Sequence, residues 1–306
     1  MPIEVRAMTM SAGKREMDNL QRLLALAKAE DLGGGDVTGE LLPAGLVAEA
    51  RFVARQELVF CGGMLLCAIA GAYDSGIATD VAVADGTAVA AGAELARWLG
   101  PARGVLAAER VALNFIQRLS GIATITRRYV DAVAGTGAAI MDTRKTTPGW
   151  RDLEKYAVRC GGGRNHRRGL YDAVLVKDNH LGALARAGGA DAIGGLAAAL
   201  GAARRRLGPD GFVEMEVDTM DQLATALKLP LDAVLLDNMA PEQIRRAVAI
   251  RDAAGLKGRV KLEASGGVTL ADVAAIAACG VERISVGALT HSAPAVDIGL
   301  DVVLIP

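Results

Sequence analysis

The feature that most constrains this chain is a regular alternation of short apolar runs with helical sequence after about residue 134. Each run has the length of a strand, and the segment after it has the apolar spacing of a helix. Strands that alternate with helices pair in parallel, because each helix carries the chain back to the same end of the sheet. The sequence therefore predicts an α/β domain with a parallel sheet, whose strands lie at residues 138–141, 173–176, 213–217, 233–237, 260–265 and 283–287.

Polar or glycine residues follow every one of these six runs. In a (β/α) barrel the carboxyl ends of the strands and the loops after them form the active site. A single polar strand end has a simpler explanation, since strand ends are commonly solvated. Six coincident positions favour a barrel site, and six strands favour an incomplete or open barrel over a regular eightfold one. The strand-end residues are Asp142-Thr143-Arg144-Lys145, Lys177, Glu216, Asp237, Ser265-Gly266-Gly267, and Gly287 followed by His291.

The first third of the chain indicates a smaller region of mixed α and β structure. Apolar spacing predicts a helix from about Asp18 to Ala29. Alternating apolar residues predict strands between residues 48 and 59 and again between residues 78 and 89. The Asp85-Gly86 turn signal divides the second of these regions into two runs. A small sheet is therefore expected here.

A long amphipathic helix is expected over residues 104–134, with Arg110 on its polar side and Gly121 as a candidate break. The chain of 306 residues exceeds what one hydrophobic core usually organises, so we expect two domains. Only 3% of the residues are aromatic, which predicts a core of small aliphatic side chains.

The charge balance excludes several classes of partner. A net charge of −1 and a pI of about 6.3 give no global basic field of the kind that binds nucleic acid or an anionic membrane. The N-terminal residues lack the apolar region of a signal peptide, and the longest uncharged run, residues 58–73, is short and broken by glycines. The cysteines, Cys61, Cys67, Cys160 and Cys279, form no C-x-x-C pair, which predicts inert buried thiols and no structural metal site. We therefore expect a cytoplasmic protein.

Nine Lys or Arg residues and five acids lie between residues 142 and 180. Arg151, Lys155 and Arg159 recur at helical spacing with Asp152 and Glu154 between them, which is typical of a solvated helix face. Other cations stand beside Pro148-Gly149, the glycines at 161–163 or a strand end, where loops bring backbone close to a ligand. These candidate anion ligands are Arg144, Lys145, His166, Arg167 and Lys177.

Two acids and a glycine turn accompany the cations. Glu216 and Asp237 end neighbouring strands and are candidate ligands of Mg²⁺, or partners of the cations. The Gly266-Gly267 turn precedes a helix that Thr269 caps, and its N–H groups are a candidate phosphate site. His291 is either a phosphate donor or a helix cap.

Several segments resemble the quinolinate phosphoribosyltransferases, also called nicotinate-nucleotide pyrophosphorylases. The resemblance runs from about Leu20 to the C-terminus and includes GDVT (35–38) and ERVALNFIQRLSGIAT (109–124). It is carried further by DTRKTTPGWRDLEKYAV (142–158), CGGGRNHRRGLYDAVLVKDNH (160–180), VEMEVDT (213–219), LLDNM (235–239), LEASGGV (262–268) and ISVGALTHSAPAVDIGLD (284–301). The sequence departs from the family's pattern at Trp150, where an aliphatic residue is expected, and in an extension before Asp18.

The resemblance implies transfer of phosphoribose from phosphoribosyl pyrophosphate to quinolinate, with loss of CO₂ and pyrophosphate, giving nicotinate mononucleotide for NAD synthesis. It implies Mg²⁺ as cofactor and four catalytic residues, Lys145, Lys177, Glu216 and Asp237. The implied quinolinate pocket consists of Arg144, Lys145, His166, Arg167 and Lys177, with Arg110 from the neighbouring subunit of a homodimer. Glu216 and Asp237 match the family's positions near the ribose and Mg²⁺. The family's phosphate-binding loops match Ser265, Gly266, Gly267, Gly287 and His291. Substrate contacts are further implied for Thr143, Ser265, Gly266, Gly267, Val286, Gly287, Ala288 and His291.

The architecture that the resemblance implies is an N-terminal α/β sandwich followed by an open (β/α) barrel, the type II phosphoribosyltransferase fold. The sandwich would comprise residues 1–113 with the tail 288–306 returning to it, and the barrel would comprise residues 114–287.

Three other functions compete with this interpretation. A phosphoribosyltransferase-like protein of molybdenum-transport operons shares the fold, but KDNH at 177–180 speaks against it. A Schiff-base aldolase would use Lys177 at a strand end, whereas the crowd of permanent cations favours binding of a polyanion. A catalytically silent nucleotide-binding protein would have less need of Arg144, Lys145, Glu216 and Asp237 together.

Overall fold

The computed structural model describes residues 12–177, 180, 192–208 and 211–305. The helices are α1 (Lys14–Leu32), α2 (Gly63–Tyr73), α3 (Ala102–Ala132), α4 (Arg151–Cys160), α5 (Ala192–Leu207), α6 (Met220–Ala226), α7 (Pro241–Ala253), α8 (Val273–Ala277) and α9 (Ala288–His291). The strands are β1 (Val47–Ala54), β2 (Leu58–Val59), β3 (Ala78–Val81), β4 (Ala88–Val89), β5 (Glu94–Pro101), β6 (Ala139–Met141), β7 (Ala173–Val176), β8 (Phe212–Val217), β9 (Ala233–Asp237), β10 (Lys261–Ser265), β11 (Arg283–Ser285) and β12 (Ile298–Ile305). Within these described ranges, every helix is too short or too polar to span a lipid bilayer.

The chain divides into two compact units. The first unit holds the described residues of Met1–Arg127, Thr146–Gly163 and Leu289–Pro306, and the second holds those of Arg128–Lys145 and Arg164–Ala288. The predicted domain boundary between residues 113 and 114 falls inside α3, and it stays a prediction.

The first unit is built on an antiparallel sheet with the strand order β12-β1-β5-β3. Because side chains alternate along β1, Ala48, Ala50 and Phe52 lie in the core. The Phe52 ring packs edge-on against Trp98 of β5, with the two ring centroids 4.8 Å apart. The C-terminal strand β12 pairs with β1 along its whole length, from Val47 opposite Ile305 to Ala54 opposite Ile298. The end of the chain is therefore part of the first unit's sheet.

Two features of the first unit differ from expectation. Helix α1 is longer than predicted, from Lys14 to Leu32. The two runs on either side of Asp85-Gly86 belong to two sheets and not to the one small sheet expected, since β3 pairs with β5 and β4 with β2. The Asp85 carboxylate instead accepts hydrogen bonds from the N–H groups of Gly62 and Gly63 at the start of α2, which draws the turn towards that helix.

Helix α3 continues through Gly121 without a break. A Cβ atom at this position would lie 2.1 Å from the carbonyl oxygen of Pro294. The glycine therefore allows the C-terminal segment to approach the helix closely, and it does not interrupt the helix.

The expectation that α4 presents a solvated face is also wrong. Glu154 and Lys155 are fully buried, and Arg159 forms an ion pair of 2.9 Å with the buried Glu16 of α1. Glu154 accepts hydrogen bonds from the guanidinium of Arg118 on α3, at 2.8 Å from Nη2. Charged residues at helical spacing thus occupy the core here, because neighbouring helices supply opposite charges.

The cysteines only partly follow expectation. Cys61, Cys160 and Cys279 are buried free thiols, as predicted, but Cys67 on α2 is exposed. Burial raises the pKa of the Cys61 thiol well above its ordinary value, as does the neighbouring Cys160 thiol.

The second unit contains the parallel sheet that the alternation predicts, with the strand order β6-β11-β10-β9-β8-β7. The α/β class and the open form of the sheet are confirmed, since in the described part of the chain no ladder joins β6 to β7. All five ladders are parallel, so the carboxyl ends of the strands lie along one edge. The core of the sheet is aliphatic, with buried side chains such as Val213, Leu236 and Ile284.

Candidate active site

The carboxyl edge of the parallel sheet collects several of the residues that the sequence singled out. Glu216 on β8 lies opposite Leu235 on β9, and Asp237 lies opposite Ser265 on β10. Because side chains alternate between the two faces of a strand, Glu216, Asp237 and Ser265 share one face. Lys177, directly after β7, reaches Glu216 with its Nζ atom 2.7 Å from Oε2. The second unit therefore brings these four predicted residues to one edge and one face.

Two guanidinium groups beside this edge are near enough to repel each other electrostatically. Arg144 follows β6, and Arg167 precedes β7 on the loop that begins at Arg164. Partial burial, followed by the charge of Arg144, lowers the pKa of Arg167, while Asp172 and Glu214 partly offset this effect. Like charges that are held together in a half-buried position favour an anion between them. The pair is therefore a candidate binding site for a carboxylate or a phosphate.

The loop that carries Arg167 is fixed by buried acceptors. Asp142, which is fully buried at the end of β6, accepts hydrogen bonds from the backbone N–H of His166 at 2.7 Å and from Asn165 Nδ2 at 2.6 Å. The backbone N–H of Arg167 donates to His166 Nδ1 at 2.7 Å, and His166 Nε2 lies 2.8 Å from Glu214 Oε2. Both nitrogens of the His166 ring thus contact protein groups, and a direct contact of His166 with quinolinate stays a prediction.

The turns after β9 and β10 interlock. Asn238 has a positive φ of 53° and donates from its backbone N–H to the carbonyl of Ser265 at 2.9 Å, while its side chain donates to Asp237 Oδ2 at 2.7 Å. A Cβ atom on Gly266 would lie 2.2 Å from Asn238 Oδ1, so only glycine fits at that point. Sequence reasoning missed Asn238, although asparagine directly after a strand-end acid is typical of a left-handed turn position.

The remaining predicted residues lie in different parts of the fold. Val286 donates its N–H to the carbonyl of Met141 at 2.9 Å, which joins the ends of β11 and β6, and Gly287 leads from there to Ala288 at the start of α9. Thr143 Oγ1 accepts from the N–H of the exposed Lys145 at 3.0 Å.

Two predicted residues belong to the first unit. Arg110 is exposed on α3, and the exposed His291 ends α9 with Nδ1 2.6 Å from Ser292 Oγ. Asp178 and Asn179 of the KDNH segment lie outside the described residues.

Sequence reasoning also missed a buried polar cluster below the strand ends. Glu214 and Glu263 are fully buried on β8 and β10, and Arg283 and Ser285 of β11 bond to Glu263. The signal was present in VEMEV and LEAS, where a glutamate interrupts an apolar run that is otherwise suited to burial. A buried acid within a strand needs a nearby partner, and here the partner is His166 or Arg283.

Comparison with known proteins agrees with this geometry. The family model for the C-terminal domain of quinolinate phosphoribosyl transferase matches residues 122–301, and the model for its N-terminal domain matches residues 36–120. The nicotinate-nucleotide pyrophosphorylase (carboxylating) of Mycobacterium leprae (strain TN) is 42% identical over 292 residues, which cover 94% of this chain and 98% of the relative. The probable nicotinate-nucleotide pyrophosphorylase (carboxylating) of Bacillus subtilis (strain 168) is 40% identical over 285 residues, which cover 93% and 94%.

Among solved structures, the nicotinate-nucleotide pyrophosphorylase from Francisella tularensis matches with a TM-score of 0.82 at 38% identity, covering 94% of this chain and 96% of that one. The resemblance seen in the sequence is therefore confirmed by both sequence and structural relatives. The chain belongs to the quinolinate phosphoribosyl transferase family.

Proposed function

We propose that this protein transfers the phosphoribosyl group of phosphoribosyl pyrophosphate to the ring nitrogen of quinolinate, with release of pyrophosphate and CO₂, to give nicotinate mononucleotide. The observation that carries the proposal is the pair of neighbouring guanidiniums, Arg144 and Arg167, in the unit whose strand edge also holds the Lys177–Glu216 ion pair. Such a site suits one ligand with two anionic groups and a second ligand that develops positive charge.

Quinolinate carries two adjacent carboxylates, and each guanidinium binds a carboxylate through two parallel hydrogen bonds. Arg144 and Arg167 would each hold one carboxylate, with Lys145 and His166 completing the pocket. Nicotinate has one carboxylate only and would form one guanidinium–carboxylate pair fewer, so it would bind much more weakly. The pocket therefore selects a dicarboxylate.

The second substrate would lie along the strand ends, with its 5′-phosphate at the Ser265–Gly267 turn and at Val286, Gly287, Ala288 and His291. Glu216 and Asp237 are oxygen donors on neighbouring strands of one face, and both are partly accessible. Mg²⁺ prefers such ligands and keeps several water molecules or phosphate oxygens, so this pair fits the ion directly or through water. Bound there, Mg²⁺ would neutralise the pyrophosphate leaving group.

The chain's own residues would supply the rest of the chemistry. As pyrophosphate leaves, positive charge develops on the ribose, and the carboxylates of Glu216 and Asp237 stabilise it. The Lys177 ammonium holds Glu216 in place, and Lys145 and Lys177 orient the anionic groups of the substrates. Lys177 in an ion pair is unsuited to imine formation, which requires an uncharged amine, and this disfavours the aldolase alternative.

We further propose that the enzyme works as a homodimer in the cytoplasm, with the exposed Arg110 of each subunit reaching into the site of the other. Exposure of Arg110 on α3 is compatible with that role, and free thiols on all four cysteines fit a reducing compartment. Sedimentation velocity tests the dimer. Mixing Arg110→Ala chains with Arg144→Ala chains tests the shared site, because a mixed dimer would regain one intact site.

The decisive experiment measures release of ¹⁴CO₂ from quinolinate that is labelled in the C2 carboxylate, with phosphoribosyl pyrophosphate and Mg²⁺ present. We expect release with quinolinate, no nucleotide product with nicotinate, and loss of activity with EDTA that added Mg²⁺ restores. Arg144→Ala should abolish quinolinate binding while keeping the circular dichroism spectrum, whereas Arg246→Ala, at an exposed position of α7, should change neither. Equal use of nicotinate would refute the dicarboxylate specificity.

A further inference from the structure

A cluster of buried polar side chains lies inside the second unit, on the face of the sheet that carries the strand-end residues. It consists of Glu214 on β8, Glu263 on β10, Arg283 and Ser285 on β11, and His166. Both glutamates are fully buried, and the His166 side chain is 8% exposed. Two carboxylates and an imidazole lie within 4.8 Å of one another here, and the proposed catalytic steps use neither of the two carboxylates.

The two glutamates differ in their hydrogen bonds. Glu263 accepts from Arg283 Nε with one oxygen and from Ser285 Oγ with the other, so both of its oxygens have donors. Glu214 has one oxygen 2.8 Å from His166 Nε2, while its Oε1 is buried and finds no hydrogen-bond donor among the residues that the structure describes. Glu263 is thus held by its own strand neighbours, whereas Glu214 is directed at the His166 ring.

The protonation of that ring follows from its second nitrogen. The backbone N–H of Arg167 points at Nδ1 from 2.7 Å, and an N–H can donate only to a nitrogen that carries no proton. The proton of neutral His166 must therefore be on Nε2, where it is donated to Glu214, with Glu263 farther away at 3.6 Å. A second proton on Nδ1 would place two donors against each other and break the bond to Arg167.

We propose that Glu214 is a positioning residue of the anion site: by accepting the Nε2 proton of His166, it fixes the tautomer and plane of the ring and, through Nδ1, the backbone of Arg167. The inference rests on the proposed function, because Arg167 is there a ligand of a quinolinate carboxylate. Asp142 fixes the same loop through the backbone of His166, and Glu214 adds the constraint on the ring.

Electrostatics supports this role. The Glu214 carboxylate lies in the core, with one oxygen 2.8 Å from His166 Nε2 and the other facing no donor among the described residues. A leucine at this position would avoid the desolvation penalty of a carboxylate in the core. It would also remove the acceptor of the His166 Nε2 proton, which costs stability. A buried acceptor beside a binding group is expected where it orients that group.

Variants at position 214 separate the acceptor from the volume of the side chain. Glu214→Gln keeps an oxygen that accepts the Nε2 proton, whereas Glu214→Leu has a similar size and no acceptor. We expect Glu214→Leu to raise the KM for quinolinate at least tenfold, with the KM for phosphoribosyl pyrophosphate unchanged. Glu214→Gln should stay within about threefold of the native protein for both substrates. Unchanged quinolinate KM in a folded Glu214→Leu protein, or equal losses in both variants, would overturn the proposal.

Nuclear magnetic resonance tests the ring independently of catalysis. The chain has three histidines, so ¹⁵N-histidine labelling together with a His166→Gln reference assigns the His166 signal. The native protein and Glu214→Gln should show the neutral tautomer with the proton on Nε2, and Glu214→Leu should lose it. A native His166 with its proton on Nδ1, or on both nitrogens at neutral pH, would overturn the proposal even if Glu214→Leu does not fold. Failure of the proposed function would instead appear as no CO₂ release by the native enzyme, with this tautomer unaffected.

Discussion

Removal of the Glu154 carboxylate should destabilise the first unit strongly, although the sequence around it looks like a solvated helix face. Glu154 is fully buried, and four hydrogen bonds end on it: Arg118 Nε at 3.3 Å, Arg118 Nη2 at 2.8 Å, Thr147 N–H at 3.1 Å and Thr147 Oγ1 at 2.8 Å. Glu154→Ala leaves the Arg118 cation without its counter-ion. Breaking a buried ion pair from one side costs about 3–5 kcal/mol.

The lower end of that range applies to Glu154→Ala. Arg118 keeps hydrogen bonds to the carbonyls of Ala293 and Thr290, and 25% of its side chain is exposed. We therefore expect a loss of about 3 kcal/mol, which corresponds to roughly 6–12 °C in Tm for a unit of this size. Glu154→Gln keeps an acceptor but not the charge, and should cost about 1–2 kcal/mol, the difference between charged and neutral hydrogen bonds.

The assay is urea unfolding followed by tryptophan fluorescence. Both tryptophans of the chain, Trp98 and Trp150, belong to the first unit, so their signal reports the unit in which Glu154 lies. Trp150, directly before α4, stacks on Phe115 with ring centroids 4.7 Å apart. The control is Glu49→Ala on β1, whose ion pair with Arg51 is partly exposed to solvent, so its loss should change the midpoint little. A Glu154→Ala midpoint equal to that of the control would refute the buried-pair reasoning.

Two further predictions concern other parts of the molecule. Tyr156→Phe removes the hydrogen bond from the phenol to Asp85 Oδ2 at 2.6 Å and should cost about 1.5–3 kcal/mol. Burial raises the pKa of Asp85 above 3.8, so the folded state loses stability as pH rises through that range. The hydrogen bond from Tyr156 lowers this pKa because it stabilises the charged carboxylate. The stability lost in Tyr156→Phe, measured by urea unfolding, should therefore be larger at pH 7 than at pH 4. Gly266→Ala would force its Cβ to 2.2 Å from Asn238 Oδ1 and should lower kcat/KM for phosphoribosyl pyrophosphate by roughly 100-fold, the effect of a shift of about 1 Å at a binding site. Gly267→Ala, with open space around its Cβ, should lower kcat/KM less, and equal effects in a steady-state assay would contradict the steric argument.

Periodicity along the sequence was enough to predict the class of the second unit and the edge on which its polar residues meet. Strand and helix periodicity are local properties, and parallel pairing follows from the alternation, so residues at successive strand ends must lie along one edge. This logic places Lys177, Glu216 and Asp237 together without any knowledge of the packing between strands. The family could also be recognised at this stage, because its motifs occupy those same strand ends.

Which charges are buried, and which groups bind them, could be seen only in the folded protein. Burial of a charge depends on partners from distant segments of the chain. Arg118 on α3 donates hydrogen bonds to the buried Glu154, and His166 contacts the buried Glu214. Charged residues at a spacing of 3.6 indicate a helix, but they do not show whether the charged face contacts water or an oppositely charged helix. In the same way, a glutamate within a strand does not reveal from the sequence which residue will pair with it. The groups that position the anion site therefore appear only when the strands and loops are assembled.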